Sequence, residues 1–247
     1  MIVYGINAVV EALRAGRVRE IRIAGRDDDR VRRLLSDAAS RGVRVTHVTR
    51  EALDRAAQDG VHQGVVAEVL PRPDVTLDTL ADAAHGPPLI VVLDGIEDPH
   101  NVGAILRSVD AAGATGVVRQ SRHAAPLDGA AAKASAGAVH HVAVADVVNI
   151  ARAVEELKEA GVWTVGLDDD AETTYYELDL TVPTAIVLGA EGHGLRRLVR
   201  ERCDFVAAIP MAGRVSSVNV SAAAAIVLFE AVRQRRQQAG ARRPAAE

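Results

Sequence analysis

Apolar positions recur at two different periods along this chain, and their alternation sets its plan. Residues 29–41 place Val31, Leu34, Leu35 and Ala38 at the spacing of one face of an amphipathic helix. Gly42 stops that helix. Ile21 and Ile23 flank Arg22, which predicts a strand over 20–24. Residues 43–48 and 65–70 read as further strands, 51–57 as a helix, and 3–14 as a short opening helix ended by Gly16. The mixture predicts a small α/β domain over residues 1–70. Pro71-Arg72-Pro73-Asp74 cannot continue a strand, so residues 71–76 read as a linker.

Beyond the linker the pattern becomes a longer alternation of strand and helix. A helix is expected near 77–84, followed by the break Gly86-Pro87-Pro88. Residues 89–94 form a continuous apolar run, which fits a strand buried on both faces of a parallel sheet. Strands are expected at 115–119, 142–144, 163–167, 184–188 and 205–209. Helices are expected at 101–112, 130–136, 149–160, 195–201 and 222–234. The first of these turns Val102, Ile105, Leu106 and Val109 inward and leaves Arg107 off the stripe. Residues 77–236 thus read as a second α/β domain, and 237–247 as a disordered tail. Asp168-Asp169-Asp170 reads as a solvated turn.

Composition adds little to this plan. The chain has 247 residues, 49% apolar and 25% charged, as in ordinary globular proteins. No apolar run approaches the ~20 residues of a membrane span. Met1 leads straight into Ile2-Val3-Tyr4, so no signal peptide and a cytoplasmic location are expected. Cys203 is the lone cysteine, and the eight histidines form no spaced ligand set, so neither a disulfide nor a metal site is expected. The net charge of -4 does not announce a nucleic-acid partner. Arginine is nevertheless clustered at Arg30, Arg32 and Arg33, at Arg196, Arg197, Arg200 and Arg202, and at Arg233, Arg235 and Arg236. Such clusters are either phosphate contacts or solvated helix faces. Aromatic content of 2% argues against a platform for stacking single-stranded bases.

Three polar loops, at 97–107, 189–194 and 209–221, each join a strand to a helix, a setting in which binding groups are commonly placed. They are expected to meet. The dinucleotide fingerprint is absent, because Gly95-Ile96-Glu97-Asp98-Pro99 lacks its glycine spacing, and there is no phosphate-cradling Walker sequence. Gly189-Ala190-Glu191-Gly192-His193-Gly194 either lets a ligand approach the backbone or simply makes a tight connection. Asn101 sits where a helix N-cap would sit, and Arg107 alone is compatible with a plain surface arginine. Ser217, Asn219 and Ser221 precede the last helix, which needs only one cap.

Together these loops resemble a known family. Asn101-Val102-Gly103-Ala104-Ile105-Leu106-Arg107, Leu188-Gly189-Ala190-Glu191-Gly192-His193-Gly194-Leu195 and Ile209-Pro210-Met211-Ala212-Gly213-Arg214-Val215-Ser216-Ser217-Val218-Asn219-Val220-Ser221 look like the three ordered motifs of the SpoU/TrmH methyltransferases. At the front, Tyr4-Gly5-Ile6-Asn7-Ala8-Val9 and His62-Gln63-Gly64 look like the substrate-binding domain of the group that methylates a guanosine ribose in 23S rRNA. The resemblance implies an α/β fold: a C-terminal SPOUT methyltransferase domain threaded into a trefoil knot, and a smaller N-terminal L30e-like α/β domain that holds RNA. It implies a homodimer with the site at or near the subunit interface. It implies S-adenosylmethionine bound in the knot, with Gly189, Ile209 and Val218 at positions that contact it.

The resemblance assigns activation of the 2′-hydroxyl to Arg107. Arginine is normally cationic, with a reference pKa above ~12, so a literal base and electrostatic stabilisation of the forming alkoxide both stand. Asn101 would orient Arg107 or the ribose, Glu191 would anchor an arginine or the substrate, and Ser217 and Asn219 would position ribose and phosphate. Asn7 stands where the front motif usually has histidine, Val218 where leucine is commoner, and residues 137–141 lack the acid and proline often found there. The expected activity is ribose 2′-O-methylation of RNA, with 23S rRNA the expected partner. The alternatives are tRNA, the rRNA site of related antibiotic-resistance enzymes, or a non-catalytic RNA-binding protein.

Overall fold

The computed structural model describes residues 1–25, 28–58, 60–122 and 124–241. In chain order its elements are β1 (Ile2–Tyr4), α1 (Ile6–Arg14), β2 (Val18–Ile23), α2 (Asp29–Ser40), β3 (Arg44–His47), α3 (Arg50–Ala56), β4 (Val65–Val69), α4 (Leu77–Ala81), β5 (Leu89–Asp94), α5 (Pro99–Ala112), β6 (Gly116–Gln120), α6 (Gly129–Ala134), β7 (Val144–Val147), α7 (Ile150–Glu159), β8 (Trp163–Leu167), β9 (Thr173–Thr174), β10 (Thr184–Gly189), α8 (Arg197–Arg202), β11 (Phe205–Ala208) and α9 (Val220–Ala241). No helix among the described residues is long and apolar enough to cross a membrane. The chain forms two compact units. The first comprises Met1–Pro73, Asp98–Arg107 and Ala125–His141, and the second Asp74–Glu97, Ser108–Ala124 and the chain from Val142 onward.

The first unit is built on a four-stranded sheet in the order β1-β4-β2-β3. The opening helix expected at 3–14 is in fact a strand followed by a helix. Ile2, Val3 and Tyr4, β-branched or aromatic, pair antiparallel with β4, with Ile2 opposite Glu68 and Tyr4 opposite Val66. The chain turns at Gly5 before α1 begins. Asp28 caps α2 by accepting from the Arg30 and Val31 amides at 3.1 and 3.0 Å. The residues resembling the front motif form a clasp. Gln63 Oε1 accepts from the Ile6 amide at 3.2 Å, and His62 Nδ1 accepts from the Gly64 amide at 3.0 Å. The buried His62 therefore donates from Nε2 to Asp54 at 2.8 Å. These side chains hold the fold together, whereas Asn7, where the motif departs, is exposed.

His140 is buried in the same unit, its Nδ1 3.5 Å from Arg17 Nη1. Burial, then the charges of Arg17 and His141, push its pKa from the usual 6.5 down to about 4. The unfolded chain therefore takes up a proton that the folded chain refuses, so the His140 contribution is complete above pH 6.5 and is lost as pH falls towards about 4. Urea titrations across that window should show a steeper loss of stability for the native chain than for His140→Gln.

The second unit carries a seven-stranded sheet in the order β7-β6-β5-β10-β8-β11-β9, with every pairing parallel. β5 and β10 run side by side from Leu89 opposite Thr184 to Asp94 opposite Gly189. Their apolar side chains are buried on both faces, as the continuous run over 89–94 requires. β10 comes late in the chain yet lies between β5 and β8, so the loops leaving β8, β10 and β11 emerge on one edge.

The starts of α5, α8 and α9 each differ by two residues from expectation, α8 beginning at Arg197 where 195 was expected. α5 begins at Pro99, because the Asp98 carboxylate accepts from the His100 amide at 2.9 Å and proline suits a first helical position. Asn101 therefore lies in the first turn and is no cap. α9 begins at Val220 and continues through Ala241, past the expected end at 234. Arg235 donates to the carbonyls of Pro87, Pro88, Leu180 and Val182, and Gln234 donates to that of Leu178, which anchors the helix there. Residues 237–241 of the expected tail are thus helical, and 242–247 lie outside the described residues.

Several arginines of the clusters are paired with carboxylates at the surface. Arg197 pairs with Glu201, Arg200 with Asp168, Arg202 with Glu155 and Arg233 with Glu230.

Candidate functional site

The loop after β10 folds back on itself. Ala190 and Gly194 exchange backbone hydrogen bonds, N to O, at 3.1 and 2.9 Å. A Cβ at Gly189 would fall inside the carbonyl group of Gly194 and the amide of Leu195. Gly189 is therefore required by the loop's own closure, which is the tight-connection reading of its sequence.

Asp94 closes the base of this loop. Its backbone pairs beside Gly189 in the sheet, and its fully buried carboxylate accepts from the Arg196 amide at 2.8 Å and from Arg196 Nε at 2.5 Å. Arg196 Nη2 continues to Gln120 Oε1, at the end of β6, at 3.1 Å. A buried carboxylate is tolerated where a cation and hydrogen bonds answer it.

The segment 209–219 forms the facing wall. Outside helices and strands, no backbone group of residues 210–218 is bonded to another backbone group among the described residues. At its end Asn219 does two things. Its Oδ1 accepts from the Ser221 amide and hydroxyl at 2.9 and 2.6 Å, which caps α9, and its Nδ2 donates to Glu191 Oε1 at 2.6 Å. The second bond ties the loop after β10 to the loop after β11. Ser217 is exposed and its hydroxyl has no partner among the described residues.

Between these walls lies a cleft of about 660 Å³. Leu167, Leu188, Ile209 and Val218 supply apolar lining, and Asp168, Asp169, Asp170 and Glu191 supply carboxylates. The acidic run is the expected turn, with Asp169 and Asp170 exposed, and it also stands on the cleft wall, where Asp168 is held by Arg200 Nε at 2.6 Å. No lysine or arginine lines the cleft among the described residues. Apolar surface, unengaged backbone groups and carboxylates suit a neutral heteroaromatic nucleoside bearing cationic groups. They do not suit a di- or triphosphate, which needs donors and positive charge.

Of the sequence-selected residues, the structure brings Gly189, Glu191, Ile209, Ser217, Val218 and Asn219 together at this cleft. Asn101 and Arg107 stand on α5 in the part that belongs to the first unit. There Gly103 lets α5 approach α6, since a Cβ would come within 2.6 Å of Ala134 Cβ and 2.7 Å of the Ala131 carbonyl. Asn101 is buried, whereas Arg107 is exposed and unpaired among the described residues. The link between Asp94 and Arg196 spans 102 positions, and no local pattern in the sequence signals it.

Comparison with known proteins identifies the family. Residues 88–229 match the SpoU rRNA Methylase family, and residues 2–74 match the RNA 2'-O ribose methyltransferase substrate binding family. The chain is 47% identical over 239 residues to the 23S rRNA (guanosine-2'-O-)-methyltransferase RlmB of Pseudomonas syringae, covering 94% of this chain and 95% of that one. It is 44% identical to the Vibrio cholerae protein of the same name, covering 95% and 97%. Among solved structures, the SpoU methyltransferase AviRb from Streptomyces viridochromogenes, in complex with AdoMet, superposes with a TM-score of 0.80 at 30% identity, covering 96% of this chain and 91% of that one. With both motif loops at one cleft and a family match over most of the sheet-bearing unit, the chain belongs to the SpoU rRNA methylase family.

Proposed function

We propose that this protein transfers a methyl group from S-adenosylmethionine to a ribose 2′-hydroxyl of RNA, with a guanosine of 23S rRNA as the substrate. The observation that carries this reading is the cleft free of lysine and arginine among the described residues, walled by the loops after β10 and β11. Gly189, Ile209 and Val218 would hold the cofactor through backbone groups and apolar contact. When bound, S-adenosylmethionine supplies an electrophilic methyl group on a sulfonium. The chain's own residues do the rest. Arg107, exposed and with its charge unanswered among the described residues, activates the 2′-hydroxyl, either by accepting its proton or by stabilising the alkoxide as the proton passes to solvent. Asn101 orients Arg107 or the ribose. Ser217 offers its free hydroxyl to the substrate, while Glu191 and Asn219 act through the bond that fixes the cleft rim.

The finer architecture belongs to the same reading. The late insertion of β10 between β5 and β8 supports a trefoil knot around the cofactor, and the mixed four-stranded sheet supports an L30e-like RNA-holding domain. A homodimer acting in the cytoplasm completes it. Incubating the purified protein with methyl-labelled S-adenosylmethionine and unmodified 23S rRNA, then digesting to nucleosides, should give labelled 2′-O-methylguanosine. Label appearing only with tRNA would move the substrate to tRNA, and no label with any RNA would remove the catalytic reading.

A further inference from the structure

We propose that Asp94 and Arg196 are positioning residues for the methyl donor: together they fix the loop 189–196 in the shape whose backbone faces the cleft. This rests on the reading that S-adenosylmethionine occupies that cleft. Neither side chain is among the residues lining the cleft, so neither is a binding group itself. Their geometry addresses the loop at both ends. Asp94 is the last residue of β5 and stands in register with Gly189, where the loop starts. Its carboxylate takes the amide and Nε of Arg196, where the loop ends. The loop's internal closure, Ala190 to Gly194, shapes its tip but does not fix it to the sheet. Arg196 extends the tie to Gln120, so the loop is referenced to the ends of three adjacent strands, β6, β5 and β10.

The chemistry explains why a charged pair stands here. A carboxylate accepts both bonds at once, one on each oxygen. An asparagine presents one oxygen and one amide group, and the amide would face a donor. Charge-assisted bonds are also shorter and stronger than neutral ones, so they hold geometry closely. Arg196 is half exposed, so its removal opens no core cavity, but it leaves the buried Asp94 carboxylate with the Arg196 amide alone and lowers stability, which is why a destabilised control is needed.

Calorimetric titration of S-adenosylhomocysteine and S-adenosylmethionine into the full-length protein tests this without reference to turnover. Arg196→Ala should raise Kd about tenfold or more for both, and Arg196→Lys, which keeps a cation near Asp94, should recover part of the loss. Asp94→Asn should weaken binding at least as much. Thr164→Val serves as the destabilised control. The buried Thr164 exchanges hydrogen bonds with Asp204 at 2.8 and 3.0 Å at the opposite end of β8, so this variant should lower Tm and leave Kd unchanged. Unchanged Kd in Arg196→Ala would overturn the proposal, as would an equal rise in Thr164→Val at matched Tm. If Asp94→Asn does not fold, Arg196→Ala and Arg196→Lys decide the matter. If the native protein binds neither ligand, the cofactor reading fails instead.

Discussion

Replacing Arg107 by alanine is expected to lower the rate of methyl transfer about 100- to 1,000-fold, the loss typical of removing one group that stabilises a developing oxyanion. Binding of S-adenosylmethionine and Tm should not change. The reason lies in where the side chain stands. Arg107 is off the apolar stripe of Val102, Ile105, Leu106 and Val109, exposed, and engaged by no carboxylate among the described residues. The other arginines of the chain's clusters mostly hold an acid or a carbonyl and would cost stability if removed. Arg107→Lys distinguishes the two roles left open for this residue. A lysine retains a positive charge but presents a compact ammonium in place of the planar fork. Partial activity in Arg107→Lys with none in Arg107→Ala supports electrostatic stabilisation. A shift of the pH–rate profile in Arg107→Lys supports a proton-accepting role. Single-turnover rates across pH make both readings accessible.

Gly189→Ala is expected to weaken S-adenosylmethionine binding about 100-fold, the equivalent of the upper part of the ~1–3 kcal/mol that overpacking costs. The added methyl would occupy the same space as the Gly194 carbonyl and the Leu195 amide. Those are backbone atoms, so relief requires the loop to open rather than a side chain to turn away. Opening it breaks the paired bonds of Ala190 and Gly194 and moves Glu191 away from Asn219. Gly192→Ala is the contrast in the same loop, since a Cβ there meets no atom within 4 Å. Its φ of 76° costs an alanine about 1 kcal/mol, so weaker binding by roughly tenfold or less is expected. Equilibrium dialysis of both variants against the native protein checks the ordering.

What was legible in the sequence follows from the range of the interactions involved. β5 and β10 could be read directly, because a strand buried on both faces is a near-continuous apolar run, here Leu89–Leu93 and Ala185–Leu188. The amphipathic helix α2 could be read from Val31, Leu34 and Ala38. The first strand could not, because three residues are too few to show a period and only their pairing with β4 makes Ile2, Val3 and Tyr4 a strand, ended by the turn at Gly5. The cap of α5 was misplaced onto Asn101 because Asp98 followed by Pro99 gives an equally local signal, and the helix obeys the earlier one. The glycine and serine loops were recognised as site material, and those after β10 and β11 do share the cleft. The acidic wall was not recognised, because Asp168 to Asp170 reach it only through the placement of β8 between β10 and β11. The pair of Asp94 and Arg196 was missed for the same reason: strand order makes them neighbours.

Mapping ribose methylation across all RNA, in cells with and without the gene for this protein, tests the central claim most directly. One 2′-O-methylguanosine in 23S rRNA should disappear on deletion, return with the native gene, and not return with Arg107→Ala. An unchanged methylation map, or restoration of the lost mark by Arg107→Ala, would contradict it.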